Sequence, residues 1–227
     1  MRHRLLNFII RSRYAFRLWI VNASAAIAIF ICATSANAET EIRILALGDS
    51  LMAGYGLAQP NSFPSKLEHV LKNEGLTVKV INAGVSGDTS AGGLARLEWS
   101  LVAKPHAVVL ALGANDGLRG LDPKTTFDNL DAIVSSLGKK GIAVLLVGMK
   151  APPNLGKSYG AEYDAIFPTI AKAHQLELYP FFLKGVVTKR ELNQKDGIHP
   201  NEAGVGVIVR NILPYIKRMI SRVRKAK

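Results

Sequence analysis

Five short apolar runs, each rich in Val, Ile or Leu, recur at residues 42–47, 77–82, 107–112, 142–148 and 176–179. A segment of helix length separates each from the next. Short apolar runs bounded by turn residues suit strands buried on both faces, as in a parallel sheet. The separating segments, 62–73, 91–102, 123–139 and 162–173, are read as helices, and a last helix is expected over about 201–222. Asp122 followed by Pro123 is a start signal, with Asp as N-cap and Pro at the first helical position. Gly138 and Gly75 mark exits. Strands alternating with helices imply βαβ units, hence the α/β class with a five-stranded parallel sheet and helices on both faces. Residues 150–160 and 180–199 are expected to be the longest irregular stretches.

The first 38 residues read differently. Arg2, Arg4, Arg11, Arg13 and Arg17 occur with no acid, an apolar segment runs over 18–33, and Ala36-Asn37-Ala38 ends it in small residues. This is the pattern of a secretory signal peptide cut before Glu39, leaving one domain over 39–227. An uncleaved anchor is the competing reading, but Asn22 and Ser24 interrupt a segment already short for a span of about 20 residues. Cys32, the only cysteine, lies in this leader and follows Ile31, not the small residue of a lipid-attachment site. The remaining chain therefore has no disulfide, thiol nucleophile or zinc–thiolate site.

Without the five leader arginines the formal charge of +12 falls to +7. The basic residues are not interleaved with aromatics, and no nucleic-acid partner is expected. Lys217, Arg218, Arg222, Arg224, Lys225 and Lys227 cluster at the C-terminus. Cations there complement a helix dipole; weak contact with anionic lipid headgroups is the second reading.

Chemistry-bearing residues gather just after the strands. Gly48-Asp49-Ser50 follows the first and Asn82-Ala83-Gly84 closes the second. Asn115 and Asp116 follow the third, and Asp196-Gly197-Ile198-His199-Pro200 precedes the last helix. In an open α/β sheet, ligands bind beyond the carboxyl ends of the strands. Ser50 can serve there as a nucleophile or simply as a helix N-cap. His199 is the candidate base, kept extended by Pro200, and Asp196 can orient it or be only an Asp-Gly turn. Gly84 can offer a backbone N–H or merely suit a tight turn. Asn115 can donate its side-chain amide to an oxyanion or close an Asx turn. Asp116 is read as holding its loop, and His69, His106 and His174 as structural. A carboxylate cluster of Asp49, Asp116 and Asp196 holding metal for phosphoryl transfer is a competing reading. It is weakened because Leu51, not a second acid, stands two residues after Asp49. A non-catalytic binding module is another. No metal or cofactor is expected.

Taken together the four stretches resemble the consensus blocks of the SGNH, or GDSL, serine hydrolases. The resemblance spans nearly all of 39–227. Ser86-Gly87-Asp88-Thr89-Ser90, Gly93 to Leu97, Asn115 to Gly120 and Asp196 to Asn201 are closest to the bacterial periplasmic multifunctional acyl-CoA thioesterases, which are also arylesterases, lysophospholipases and weak proteases. The resemblance implies a flavodoxin-like three-layer α/β/α fold, with Ser50 as nucleophile, His199 as base and Asp196 as its partner. It implies oxyanion donors at the Ser50 and Gly84 N–H groups and the Asn115 side chain. It places Leu118, Leu121, Met149, Pro152 and Leu155 along an acyl groove. A periplasmic or secreted monomer acting on small-molecule acyl esters or thioesters follows, with a carbohydrate O-acetyl ester as the alternative substrate. Ala114 and Lys150 depart from the Gly and Arg common among close relatives; Lys offers a point charge where Arg offers a planar fork. Met52 stands where a nucleophile elbow has its second Gly, which sets the chain apart from ordinary α/β-hydrolases.

Overall fold

In the computed structural model, which describes residues 40–226, the apolar runs lie side by side as one parallel sheet. The strands are β1 (Ile42–Gly48), β2 (Val78–Gly84), β3 (Ala107–Ala111), β4 (Ala143–Val147) and β5 (Glu177–Tyr179), in the order β2-β1-β3-β4-β5. The expected leader lies outside the described residues. Among the described residues no helix is long and apolar enough to cross a membrane.

Ile44 to Leu47 of β1, Val108 to Leu110 of β3 and Leu145 to Val147 of β4 are almost wholly enclosed, as strands covered on both faces must be. A four-residue helix α1 (Ser50–Ala53) and then α2 (Phe63–Asn73) follow β1. Helices α3 (Ser90–Ala95) and α4 (Leu97–Ser100) follow β2, and α5 (Ala114–Leu118) with α6 (Pro123–Lys139) follows β3. Helix α7 (Lys157–Ala173) joins β4 to β5, and α8 (Glu202–Lys225) ends the fold. Helices α2 and α8 pack together on one face, while α3, α6 and α7 pack in a row on the other. On α8, Val205, Ile208, Val209, Ile212, Ile216, Met219, Ile220 and Val223 recur at three- and four-residue spacing and are buried. That stripe fixes which side of the helix meets the sheet. Truncating one such enclosed residue, Leu67 on α2 for instance, costs about 2–5 kcal/mol.

Two expectations change. The helix expected over 91–102 is broken at Arg96, into α3, α4 and a short 3-10 turn at Leu101–Ala103. The Arg96 side chain turns inward to Asp88 and to the Gly48 carbonyl. A Cβ at Gly93 would meet Leu112 Cδ1 at 2.1 Å, so the glycine lets α3 approach the sheet. Helix α7 starts at Lys157, five residues before the expected 162. Tyr159 and Tyr163 hold that extra turn: their rings stack at 5.9 Å, and the Tyr159 hydroxyl donates to the Leu121 carbonyl at 2.9 Å.

The register brings the site together. Gly48 is paired with Gly84 on one side and Ala111 on the other, so β1, β2 and β3 end at one level. The chain runs from β1 to one neighbour and returns past it to the other. The carboxyl edge of β1 and β3 is thus the switch point where doubly wound sheets leave a crevice.

Candidate active site

Each residue of Gly48-Asp49-Ser50 has a distinct local task. A Cβ on Gly48 would lie 2.5 Å from Met52 Cγ and 2.6 Å from the Ala111 carbonyl oxygen, so only glycine lets the turn pass β3. Asp49 is the N-cap of α1: its Oδ1 accepts the Leu51 N–H at 2.9 Å. It is wholly buried, and burial pushes its carboxyl up from 3.8 to about 6 against the lowering effect of that N–H. With Asp49 as cap, the Ser50 hydroxyl is spared for other work, and Ser50, in the first turn, keeps a backbone N–H with no intrahelical acceptor.

Ser50 Oγ lies 2.9 Å from His199 Nε2, and His199 Nδ1 lies 2.7 Å from Asp196 Oδ2. The other Asp196 oxygen accepts the N–H groups of Ile198 at 3.1 Å and His199 at 3.0 Å. The His199 N–H and then its imidazole hold the Asp196 carboxyl below the usual carboxylate range. An ionised carboxylate only accepts, so Nδ1 carries the proton and Nε2 turns its lone pair to the Ser50 hydroxyl. Neighbouring hydrogen bonds fix the loop. Gln194 N–H donates to the His199 carbonyl at 2.8 Å, and the Gln194 amide donates to the Tyr55 and Pro200 carbonyls at 2.7 and 3.0 Å. The Tyr55 ring rests 4.6 Å from the imidazole. Asn201 caps α8 by accepting the Gly204 N–H at 3.0 Å.

Asn115 sits in α5 with its amide donating to the Asp88 carbonyl at 2.8 Å and facing Asp49 Oδ2 at 3.5 Å. The Gly84 expectation is corrected. Its N–H donates to Asn82 Oδ1 at 2.9 Å, it does not line the cavity over Ser50, and a Cβ there would strike the α1 backbone, 2.1 Å from Ala53 N. Gly84 is a packing glycine under α1. Gly87, three residues on, does line the cavity, and its N–H has no protein acceptor among the described residues.

A cavity of about 450 Å³ opens over Ser50 and His199. Leu118, Met149 and Pro152 are in its wall, together with Lys150 and Ala114. Leu121 and Leu155 are not: Leu121 gives its carbonyl to Tyr159, and Leu155 lies against Gly120. The wall also holds Phe181, Leu183, Val187 and Ile198, which sequence reasoning missed. Their signal was the density of apolar side chains in an irregular stretch next to the His199 block.

The remaining candidates stand apart. Asp116 is buried and accepts from the Ser90 N–H at 2.9 Å, the Ser90 hydroxyl at 2.5 Å and the Thr126 hydroxyl at 3.3 Å, so it ties α3 and α6 to α5. His106 Nδ1 accepts the Arg43 N–H at 2.9 Å, His174 Nε2 pairs with Asp131 at 2.6 Å, and His69 faces Asn73. Among the described residues no group of three or more His, Cys, Asp or Glu side chains is placed to hold a metal ion.

The GDSL-like lipase/acylhydrolase family model matches residues 46–207. An arylesterase of Vibrio mimicus is 43% identical over 76% of this chain and 86% of its own length. The thioesterase 1/protease 1/lysophospholipase L1 of Escherichia coli is 37% identical over 76% of this chain and 82% of its own. Among solved structures, the psychrotrophic esterase EstA from Pseudoalteromonas sp., inhibited by monoethylphosphonate, superposes with a TM-score of 0.75 at 34% identity, covering 79% of this chain and 98% of that one.

Proposed function

This chain belongs to the GDSL-like lipase/acylhydrolase family, and from that premise we propose that it is a serine hydrolase of acyl esters and acyl thioesters acting through Ser50, His199 and Asp196. The observation that carries the reading is the continuous relay from Ser50 Oγ through the imidazole to Asp196, at 2.9 and 2.7 Å. His199 Nε2 takes the hydroxyl proton as Ser50 Oγ attacks the acyl carbonyl carbon, and the carbonyl oxygen gains the negative charge. Donors for that oxygen are the N–H groups of Ser50 and Gly87 and the amide of Asn115. As the tetrahedral intermediate collapses, the imidazolium gives its proton to the departing oxygen or sulfur. Water, activated by the same imidazole, then frees the acid and restores Ser50. Asp196, ionised throughout, holds the tautomer and stabilises the imidazolium.

The apolar wall of Leu118, Met149, Phe181, Leu183 and Val187 suits an acyl chain better than the short acetyl group of a sugar ester. Export through the 1–38 leader and a periplasmic or secreted monomer remain part of the proposal on the leader sequence and on the relatives' resemblance. Weak headgroup contact through the C-terminal cations belongs with them. A fluorophosphonate probe tests the core of it. The protein should be labelled on Ser50, and Ser50→Ala should lose both label and esterase activity by several orders of magnitude. Labelling of a different serine would overturn the assignment.

A further inference from the structure

Beside the acyl cavity is a second hollow, also of about 450 Å³, lined by Thr188, Arg190, Asn193, Gln194, Lys195 and Gly197. Asn193 and Gly197 line both hollows, so a single thin wall separates them. At Gly197 no side chain adds to that wall, and the space a Cβ would enter is open to 4 Å. The second hollow carries two cations and no carboxylate in its lining. Lys66, Arg96, Lys150 and Arg218 all have carboxylate partners. Arg190 and Lys195 have none among the described residues. Asp196, next to Lys195, is already committed to His199 and two backbone N–H groups. Glu191, next to Arg190, is outside the lining.

Position relative to His199 gives these cations a direction. The imidazole that protonates the departing atom must lie on the leaving-group side of the acyl carbon. The 193–197 loop adjoins it, with Asp196 on its Nδ1 and with Asn193 and Gly197 lining both hollows. A leaving group departing past His199 therefore crosses Gly197 toward Arg190 and Lys195. We propose that this hollow is a subsite for an anionic, phosphate-bearing leaving group, with Arg190 and Lys195 as its anchors. The inference rests on the ester and thioester hydrolase reading and adds to it which leaving groups are preferred. A guanidinium offers a phosphate two parallel N–H donors and an ammonium adds a point charge. Binding energy gained on a remote part of the substrate can be used at the reacting centre, so the effect belongs in kcat/KM.

The test is the double variant Arg190→Gln/Lys195→Gln, assayed on two matched pairs. One pair is palmitoyl-CoA against the palmitoyl thioester of neutral N-acetylcysteamine. The other is a palmitoyl lysophosphatidylglycerol against monopalmitoylglycerol. A remote double variant, Lys139→Gln/Lys172→Gln, matches the change in net charge. The subsite variant should lose roughly tenfold in kcat/KM on the phosphate-bearing member of one or both pairs. It should keep its rate on the neutral members, and the loss should shrink at high salt. Loss in the first pair alone identifies a coenzyme thiol, and in the second alone a glycerophosphate. Equal losses on neutral and anionic members, no loss on any, or the same loss from the remote variant would overturn the proposal. Calorimetric binding of lysophosphatidylglycerol to Ser50→Ala, with and without the two changes, reads the subsite without turnover. A protein that hydrolysed none of the neutral esters would sink the hydrolase reading, while weaker binding by the triple variant would still support the subsite.

Discussion

Arg96 Nε donates to Asp88 Oδ2 at 2.7 Å, and another arm of the same guanidinium donates to the Gly48 carbonyl at 2.9 Å. One side chain thereby ties the loop after β2 to the turn that presents Ser50. The Asp88 carbonyl in turn accepts the Asn115 amide, so Arg96 sets the relative position of two proposed oxyanion donors without touching substrate. Arg96→Met should lower kcat more than it raises KM, and should cost about 2 kcal/mol of stability. That is less than the roughly 3–5 kcal/mol for breaking a fully buried pair, because this one keeps some solvent. Arg96→Lys should restore stability better than kcat, since an ammonium cannot span both partners. Equal recovery of both would argue for a purely structural role.

Asp49 gives a stability prediction with a definite sign. Its carboxyl is raised from 3.8 to about 6 by burial. The folded protein therefore keeps a proton that the unfolded chain releases. The contribution is fully present below pH 3.8 and is lost as pH rises through about 6. Asn retains the capping oxygen and does not titrate. Between those two pH values the stability of Asp49→Asn should gain on the wild type by at most about 3 kcal/mol. Urea titrations across the window check this; parallel pH profiles would show that Asp49 does not titrate there.

Asp196→Asn should fold and lose most of its kcat. The amide can donate to Nδ1 and so hold the tautomer in which Nε2 carries the proton. The corresponding change in the serine-protease template costs on the order of 10⁴-fold. Asp116→Asn should show the opposite profile. It should be clearly destabilised, because the buried oxygens that accept from Ser90 and Thr126 include one turned into a donor. Its folded fraction should keep most of its kcat. Thermal melts beside kcat values separate the two, and an exchange of profiles would mean that the wrong carboxylate has been assigned to His199.

Asp196 should not be the group through which acid abolishes activity. It stays ionised to unusually low pH, held mainly by the His199 backbone N–H, and so remains an acceptor for the His199 ring as pH falls. Tyr55→Ala, which removes the ring packed 4.6 Å from the imidazole, should lower kcat by loosening the side chain that receives the Ser50 proton. An unchanged kcat in that variant would show that the ring contact does not position the base.

Strand positions were legible because local chemistry determines them, and the residues singled out after the strands, Ser50, His199 and Asp196, lie within hydrogen-bonding reach of one another in the fold. The apolar runs became strands within two residues, and Asp122-Pro123 started α6 where capping geometry requires. Elements decided by distant partners were not legible. The break at Arg96 depends on Asp88 and Gly48, and the early start of α7 depends on Leu121 and the Tyr159–Tyr163 stack. Gly84 closes β2 and Gly87 follows it by three positions, and no pattern in the sequence says which of the two lines the cavity. In the fold the Gly84 N–H is taken by Asn82. The cavity wall was found in part for a similar reason. Leu118 ends α5 and Leu121 follows three residues later, but Leu121 is turned away with its carbonyl on Tyr159.

Ser50 and His199 are 149 positions apart in the chain, yet one hydrogen bond joins them. Asp196 and His199, by contrast, are three apart and can meet within a single turn. The closure entropy of so long a segment must be offset by sheet and helix packing before the serine meets its base. Reactivity is thus a property that arrives only once both ends of the domain are in place. A phosphonate label on Ser50 would therefore count completed molecules during refolding, and would pass over any compact intermediate in which α8 had not yet docked.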